Sequence, residues 1–416
     1  MSQPPQTLKG FRDFLPEQKR KRDYVQSKIT RTFAKYGFAP LQTPTLEYAS
    51  LLLGKYGTEA DKLVYTFKDN GEREVGLRYD QTVPTARVLA QYQHLLPKYF
   101  RRYQVQSVFR ADKPQKGRFR EFTQCDIDVF GSTSSLADAE ILACTYAAYK
   151  AVGFKTVVLN INDRQVLMGS LSSFATPEVD VFSIIQTIDK LDKISVADGV
   201  QELVTKGLDK NAAALAITTI EKAEMSDNLT QIVNNAIALG VPKEALFFNP
   251  KIARGLDYYT GMIFEVTVPE YATGSLGAGG RYDNLIEQLG GVSIPAVGMA
   301  FGFDRTVEAA DELGLIPTDA TGTQVLVTIF DGNSSSLTTS ALAAAALLRQ
   351  KGVAVEVYPG SEKLGKQFKY ADQQGIPYVL IIGEDEAAQD MVTLKEMKSG
   401  EQTTLRLEEA VNKLGV

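Results

Sequence analysis

Residues 99–131 read YFRRYQVQSVFRADKPQKGRFREFTQCDIDVFG, and the fold turns on this stretch. Strand-like alternation runs from 99 to 110 and again from 119 to 130. Between the two arms lies a polar, basic loop carrying Lys113, Pro114, Gln115, Lys116 and Gly117. Successive strand side chains point to opposite faces, so even-numbered residues share one face of each arm. That face gathers Arg102, Gln104, Gln106 and Arg110 on the way in. On the way out it gathers Arg120, Phe122, Gln124, Asp126 and Asp128. The odd face is richer in apolar groups: Tyr103, Val105 and Phe109, then Phe119, Cys125, Ile127 and Val129. Arginines, amides and carboxylates around one phenylalanine are costly to bury empty. They suit the floor of a site for a ligand with charged and planar parts. The same alternation also fits the solvated outer face of an ordinary antiparallel sheet.

A chain of 416 residues is long enough for two or three domains. With 44% hydrophobic and 23% charged residues, it belongs with globular proteins, not disordered ones. No apolar run approaches the roughly 18 residues that span a bilayer. The start, MSQPPQTLKGFRDFLP, has neither a signal-peptide core nor an arginine-rich transit pattern. Two cysteines, Cys125 and Cys144, cannot frame a disulfide scaffold or a zinc cluster, and a cytoplasmic location is expected. With His94 as the single histidine, chemistry must rest on Arg, Lys, Asp, Glu, Tyr and bound ions. A net charge of -5 neither advertises nor excludes a nucleic-acid partner, because a local basic patch is enough.

Outward from the hairpin, residues 17–37 have the period of an amphipathic helix, with Val25, Ile29 and Phe33 on one stripe. The extended FAPLQTPTLEY carries Pro40 and Pro44, which suit an edge or interface strand. Asp69-Asn70-Gly71 marks a hairpin turn, and residues 82–95 return to helix. Residues 136–152 form an alanine-rich helix, followed by a strand over 155–162. From about 177 to 240 the period is helical throughout, which reads as an all-α insertion. RGLDYYTG (254–261) then leads into the strand MIFEVTVP. TGSLGAGGRYDNLI reads as a glycine-rich turn entering a helix near Tyr282, and PAVGMAFGF reads as a strand running into a helix at Asp304 and Arg305. Beyond the polar linker PTDATGT, strands and helices alternate (QVLVTIF, VAVEVYP, PYVLIIG, then a last strand VTLKEM before a final helix). This predicts a separate, mostly parallel α/β domain.

Four segments could converge on chemistry. LRYDQT offers Asp80 and Thr82 to an ammonium group. The hairpin offers Arg110, Arg118, Arg120, Phe122, Gln124 and Asp128. RGLDYYTG offers Arg254, able to grip a carboxylate or phosphate bidentately, with the hydroxyls of Tyr258 and Tyr259. The fourth segment, 302–305, places Arg305 in a first helical turn. Several arginines aimed at one pocket call for a polyanion, and Phe122 can stack on a planar base. A nucleoside triphosphate plus a small zwitterion fits. GSLGAGG lacks the GKS/T of a P-loop and reads as a packing turn.

Quoted together, these motifs resemble the class II aminoacyl-tRNA synthetases, and within them the histidyl-tRNA synthetase family, over nearly the whole chain. KGFRDFLP is similar to the family's start, YGFAPLQTPTLE to the dimer-forming motif 1, FRAD through QCDIDVFG to motif 2, and AVGMAFGFDR to motif 3. LRYDQTVP and RGLDYYTG resemble the two segments peculiar to the histidine enzymes. The resemblance implies an α+β fold: a class II synthetase-like antiparallel sheet flanked by helices, an all-α insertion, and a C-terminal α/β domain of the anticodon-binding type. Its expected divisions are a catalytic domain over 1–165 and 246–316, the insertion over 166–245, and the C-terminal domain over 317–416.

The resemblance implies ATP-dependent ligation of L-histidine to its tRNA through a histidyl-adenylate. Asp80, Gln81, Thr82 and Gln124 would surround the α-amino group. Asp128 and Tyr259 would bond the imidazole, with Tyr258 and Tyr282 lining the pocket. Arg254 would touch the histidine carboxylate and the α-phosphate, and Arg110 the α-phosphate. Arg118 would take the outer phosphates, Phe122 and Arg305 would sandwich the adenine, and Asp112 would contact it. Lys113, Gln115 and Lys116 would meet the tRNA acceptor end. ATP is expected with Mg2+, no protein metal site or tightly bound cofactor is expected, and a homodimer would form through motif 1. Two other readings are a non-catalytic paralogue regulating ATP phosphoribosyltransferase, and a nucleotide- or RNA-binding module without chemistry. The first is disfavoured by the intact RGLDYYTG and C-terminal domain. The second leaves Asp80, Thr82 and Gln124 unexplained.

Overall fold

The structure is a computed structural model and describes residues 5–54, 61–115, 117–253, 258–272, 274–317, 322–330 and 335–414. Two compact units divide the chain, one ending at Ile316 and the other beginning at Pro317.

The first unit is organised on strands β1 (Ala39–Pro40), β2 (Leu46–Tyr48), β3 (Thr66–Lys68), β4 (Glu74–Leu77), β5 (Phe100–Phe109), β6 (Glu121–Phe130), β7 (Val158–Asp163), β8 (Leu246–Phe248), β9 (Met262–Thr267), β10 (Gly277–Arg281) and β11 (Ala296–Phe301). The main sheet has the order β1-β5-β6-β11-β10-β9-β7-β8. Its interior pairings are antiparallel, and its two outermost, β1 with β5 and β7 with β8, are parallel. β2, β4 and β3 form a small antiparallel sheet beside it.

Helix α1 (Pro16–Lys35) starts with proline in its first turn and buries Val25, Ile29 and Phe33 completely. Each fully buried side chain of this kind is worth about 1.5–3 kcal/mol. The stripe joins Cys125, Ile127 and Val129 of β6 and the buried face of α2 (Ser135–Val152) in the main core. The odd face of the hairpin is therefore its core side. A second apolar cluster covers the other face at one end, joining Phe100 and Phe130 to α3, the helix at Leu285–Gly290, and to the helix at Thr82–Tyr92.

The glycine-rich stretch departs from its reading as a turn, because Gly277–Arg281 is a central strand. At Gly279 an added Cβ would lie 2.7 Å from the Phe264 ring and 2.9 Å from Met299 Cα. Consecutive glycines here serve close strand approach. The helical stretch after residue 177 also divides. Helices up to Lys210–Glu221 share a cluster of their own. The helix Asp227–Ala238 instead packs on α2 and places Leu229, Ile232 and Ala236 in the main core.

The second unit has the sheet order Val355–Val357, Val325–Val327, Tyr378–Ile381, Val392–Glu396, Gln402–Leu405. Its first two pairings are parallel and its last two antiparallel, so the sheet is mixed, not mostly parallel. The strand Gln402–Leu405 escaped the sequence reading because its polar residues do not form an apolar run; it pairs across the hairpin turn at Gly400, whose φ is +76. Among the described residues no helix is long and apolar enough to cross a membrane.

One buried ion pair locks strand to helix. Arg281, 7% exposed, reaches Asp138 at the start of α2 at 2.5 Å and also donates to the carbonyl of Ser132. Removing one member of such a pair strands the other charge in the interior. Arg281→Ala should lower the unfolding free energy by about 3–5 kcal/mol, while Arg281→Met with Asp138→Leu should regain most of it. Urea unfolding followed by circular dichroism measures both, and a single-variant loss below about 1 kcal/mol would mean the pair behaves as a solvated one.

Candidate active site

The even face of the hairpin is the floor of the site. The register sets Arg102 opposite Asp128, Gln104 opposite Asp126, and Gln106 opposite Gln124. Phe122, Gln124, Asp126 and Asp128 therefore form a row, its ends about 20 Å apart at ~3.3 Å per residue. The inner end is buried, which removes the reading of a solvated outer face. Arg102 is 1% exposed and Asp128 5%.

At the outer end a cavity of about 390 Å³ is lined by Arg110, Asp112, Arg118, Phe122 and Arg305, with Gln124 toward the inner end. Five of the six residues that the resemblance sets against the nucleotide thus share one cavity, and the sixth, Arg254, lies outside the described residues. The Arg110 guanidinium donates from Nε to the Tyr79 carbonyl at 3.2 Å and lies 5.1 Å from the Phe122 ring centroid. Arg118 is exposed, with Nη1 3.7 Å from the Asp112 carboxylate. Arg305 donates to the Ser275 carbonyl at 3.2 Å. Arg120 is drawn elsewhere. It donates to the carbonyls of Asp112 and Lys9 and fixes the amino-terminal segment to the hairpin. Asp304 is held by Arg12 and Arg22 from that same region.

At the inner end, Tyr282 Oη donates to Asp128 Oδ1, and Arg102 Nη2 stands 2.7 Å from Asp128 Oδ2. Burial pushes the Asp128 carboxyl upward, opposed by Arg102 and the Tyr282 hydrogen bond. The Tyr259 hydroxyl is pushed well up, first by burial and then by Tyr258, whose ring lies 4.4 Å from its own. Gly280 lets Tyr259 lie close, since a Cβ there would stand 2.9 Å from its ring. Tyr258 is exposed.

Gln81 has a different place from the one the resemblance gave it. It is fully buried and donates from Nε2 to the carbonyls of Gln106 and Gln124, while Oε1 accepts from Arg102. Its amide is spent on the hairpin, leaving no donor for a ligand. Its backbone N–H also donates to Gln124 Oε1 at 3.1 Å. Asp80 Oδ1 accepts from Val83 N at 3.0 Å at the start of the following helix, and Thr82 begins that helix. Lys113 and Gln115 are exposed at the hairpin tip. Lys116 and Arg254 lie outside the described residues.

Arg102 and Asp126 lie on the face singled out in the sequence but were given no role there. The one available signal was parity, which sets both on the row of Asp128.

An arginine-flanked pocket floored by antiparallel strands, in a chain without a P-loop, is the arrangement of the class II aminoacyl-tRNA synthetases. Comparison with known proteins narrows the class. A family model described as histidyl-tRNA synthetase matches residues 10–306, and one described as an anticodon binding domain matches 324–415. The histidine–tRNA ligase of Christiangramia forsetii is 38% identical over 451 aligned positions, covering 97% of this chain and 98% of that one. That of Rhodopirellula baltica is 38% identical, covering 95% and 94%. A crystal structure of histidyl-tRNA synthetase from Nostoc sp. PCC 7120 superposes with a TM-score of 0.87 at 32% identity, covering 99% of each chain. The chain belongs to the histidyl-tRNA synthetase family.

Gly298 sits on β11 directly opposite Asp128. A Cβ there would intrude on Asp128 Oδ1 and stand 2.8 Å from the Ile127 carbonyl oxygen. Gly298→Ala should therefore displace the carboxylate and weaken histidine binding about tenfold or more, a loss of ~1.4 kcal/mol. Nucleotide binding at the outer cavity should change little. Calorimetric titration with each ligand separates the two.

Asp126 makes the stability depend on pH. Its carboxyl is raised from 3.8 to about 8, by burial first. The unfolded chain binds fewer protons between those values, so the contribution is full below 3.8 and lost as pH rises through about 8. Asp126→Asn, which stays neutral, should gain stability over the parent as pH climbs toward 8 without histidine. Urea midpoints of both proteins across that range test it.

Proposed function

We propose that this protein charges tRNA(His), with the row on β6 holding both substrates of the first step. The observation that carries the reading is the continuity of that row. The cavity holding Arg110, Asp112, Arg118, Phe122 and Arg305 reaches Gln124, and the same strand face continues from there to Asp128, which Tyr282 meets. ATP would enter the outer end, its adenine between Phe122 and Arg305 and its outer phosphates by Arg118. Histidine would enter the inner end, its imidazole against Asp128 and Tyr259 and its α-amino group toward Asp80, Thr82 and Gln124.

One carboxylate oxygen of histidine then attacks the α-phosphorus. A carboxyl–phosphorus bond forms, the bond to the β-phosphate bridging oxygen breaks, and diphosphate leaves. The terminal ribose hydroxyl of the tRNA next attacks the acyl carbon and releases AMP. The first step needs positioning and charge stabilisation more than proton transfer. Arg110 would supply the charge, joined by Arg254 on the strength of its place in RGLDYYTG. The outer cavity is lined by cationic groups and by two carboxylates. One of these, Asp304, is taken up by Arg12 and Arg22, so Mg2+ is proposed to arrive on the triphosphate oxygens. Exposed Leu46, Tyr48 and Phe67 on the small sheet support a homodimer through the motif 1 region. Cys125 and Cys144, both buried and unpaired, suit the cytoplasm, where the three substrates are met.

Histidine-dependent ATP–pyrophosphate exchange tests the proposal. Exchange is expected with histidine alone among the standard amino acids, and a folded protein showing none would overturn it. Asp128→Ala should abolish exchange while ATP binding survives. Arg110→Ala should slow it by about 10²–10³-fold, as loss of one preorganised donor does elsewhere.

A further inference from the structure

The inner end of the site has more carboxyl groups than its described cations serve. Asp126 and Asp128 share the even face two residues apart, and Asp80 stands near Asp126. Arg102 is given to Asp128 at 2.7 Å, and Arg110 to the Tyr79 carbonyl. Asp126 receives neither. It is 6% exposed, and its Oδ1 is shut off from solvent without a hydrogen-bond donor. Its cross-strand neighbours cannot help. Ala300 has no polar group, and the Gln104 amide donates to Thr43 and Gln106.

An unmet buried acceptor is costly, a cost that makes sense where a ligand brings the missing donor. The other acceptors expected to meet a substrate ammonium are partly engaged. Gln124 Oε1 takes the Gln81 N–H, and Asp80 Oδ1 takes that of Val83. The charged and titratable groups acting on Asp126 are Arg102, Arg110, Asp80, Asp128 and Tyr259, with Cys125 on the core side.

We propose that Asp126 is a further histidine-binding residue, the counter-ion of the substrate α-ammonium. This rests on the histidine-activating reading above. Binding then transfers the Asp126 proton to the solvent buffer and changes no other bond. The raised carboxyl supports it, since at neutral pH the empty pocket still holds that proton. Affinity for histidine accordingly rises with pH up to about 8.

Calorimetric titration of the full chain at neutral pH, in PIPES and in Tris, reads the proton directly. About one proton should leave per histidine bound, seen as a binding enthalpy that differs between buffers. Histidinol, which keeps the ammonium, should release the same proton, and imidazolepropionate, which lacks it, none. Asp126→Asn should bind histidine about tenfold or more weakly and release no proton. Buffer-independent heat in the parent, equal release with imidazolepropionate, or unchanged release in Asp126→Asn overturns the proposal. The parent comparison stands even if the variant does not fold. Absence of histidine heat in both buffers would instead overturn the histidine-activating reading itself.

Discussion

Arg102 lies almost wholly out of water in the middle of the main sheet, with Asp128 opposite it on the next strand. Neither charge is tolerable there alone. Together with the Tyr282 hydroxyl they tie the β5–β6 hairpin to the chain just after β10, 154 positions on from Asp128. The pair also orients Asp128, because one carboxylate oxygen faces Arg102 and the other faces Tyr282. On the proposed reading, a group that selects a ring by its N–H is thus held before the ring arrives, and the positioning cost is met in folding.

The same network accounts for polar side chains beside the pocket that are spent on the fold. Gln81 stands between Asp80 and Thr82, the two proposed ammonium contacts, yet its side chain stitches the start of the following helix to β5 and β6. Arg78, 3% exposed, does similar work one turn earlier, donating to the carbonyls of Thr43 and Ser107. The Gln81 Nε2 and the Arg78 Nε and Nη1 each find a backbone acceptor, as most interior polar groups do. The segment carrying Asp80 and Thr82 is therefore supported on both sides by groups that never need to meet substrate.

Much of this was legible in the sequence, for a definite reason. A period of two assigns faces without knowledge of pairing, so the polar row from Phe122 to Asp128 and its apolar reverse could be read from β6 alone. Register could not. A polar loop of about ten residues does not say whether Arg102 or Gln104 meets Asp128, so the central ion pair stayed hidden. The bond between Arg281 and Asp138 was invisible because 143 positions separate them. Gly277–Arg281 was misread because glycines in series usually signal turns. Their meaning here lies in what neighbouring strands place against them, which one segment does not reveal. The helix Asp227–Ala238 has the same period as its predecessors, and only tertiary contact shows that it belongs to another core.

Those glycines also account for the precision of the row. A one-residue slip of β6 would turn Cys125 and Ile127 toward the pocket and drive Asp126 and Asp128 into the apolar core. Hydrogen bonding alone resists such a slip weakly, because every register of a ladder offers similar bonds. Shape resists it strongly. Gly298 on β11 is the partner of Asp128, and Gly280 on β10 is the partner of Gly298. The Asp128 carboxylate occupies the space a Cβ at Gly298 would take, and the Tyr259 ring crowds the space a Cβ at Gly280 would take. Shifted by one, Asp128 would meet Val297 or Met299 and find its space filled. The absence of side chains on two neighbouring strands therefore sets where the carboxylate and the tyrosine can sit, and the binding row inherits its register from them.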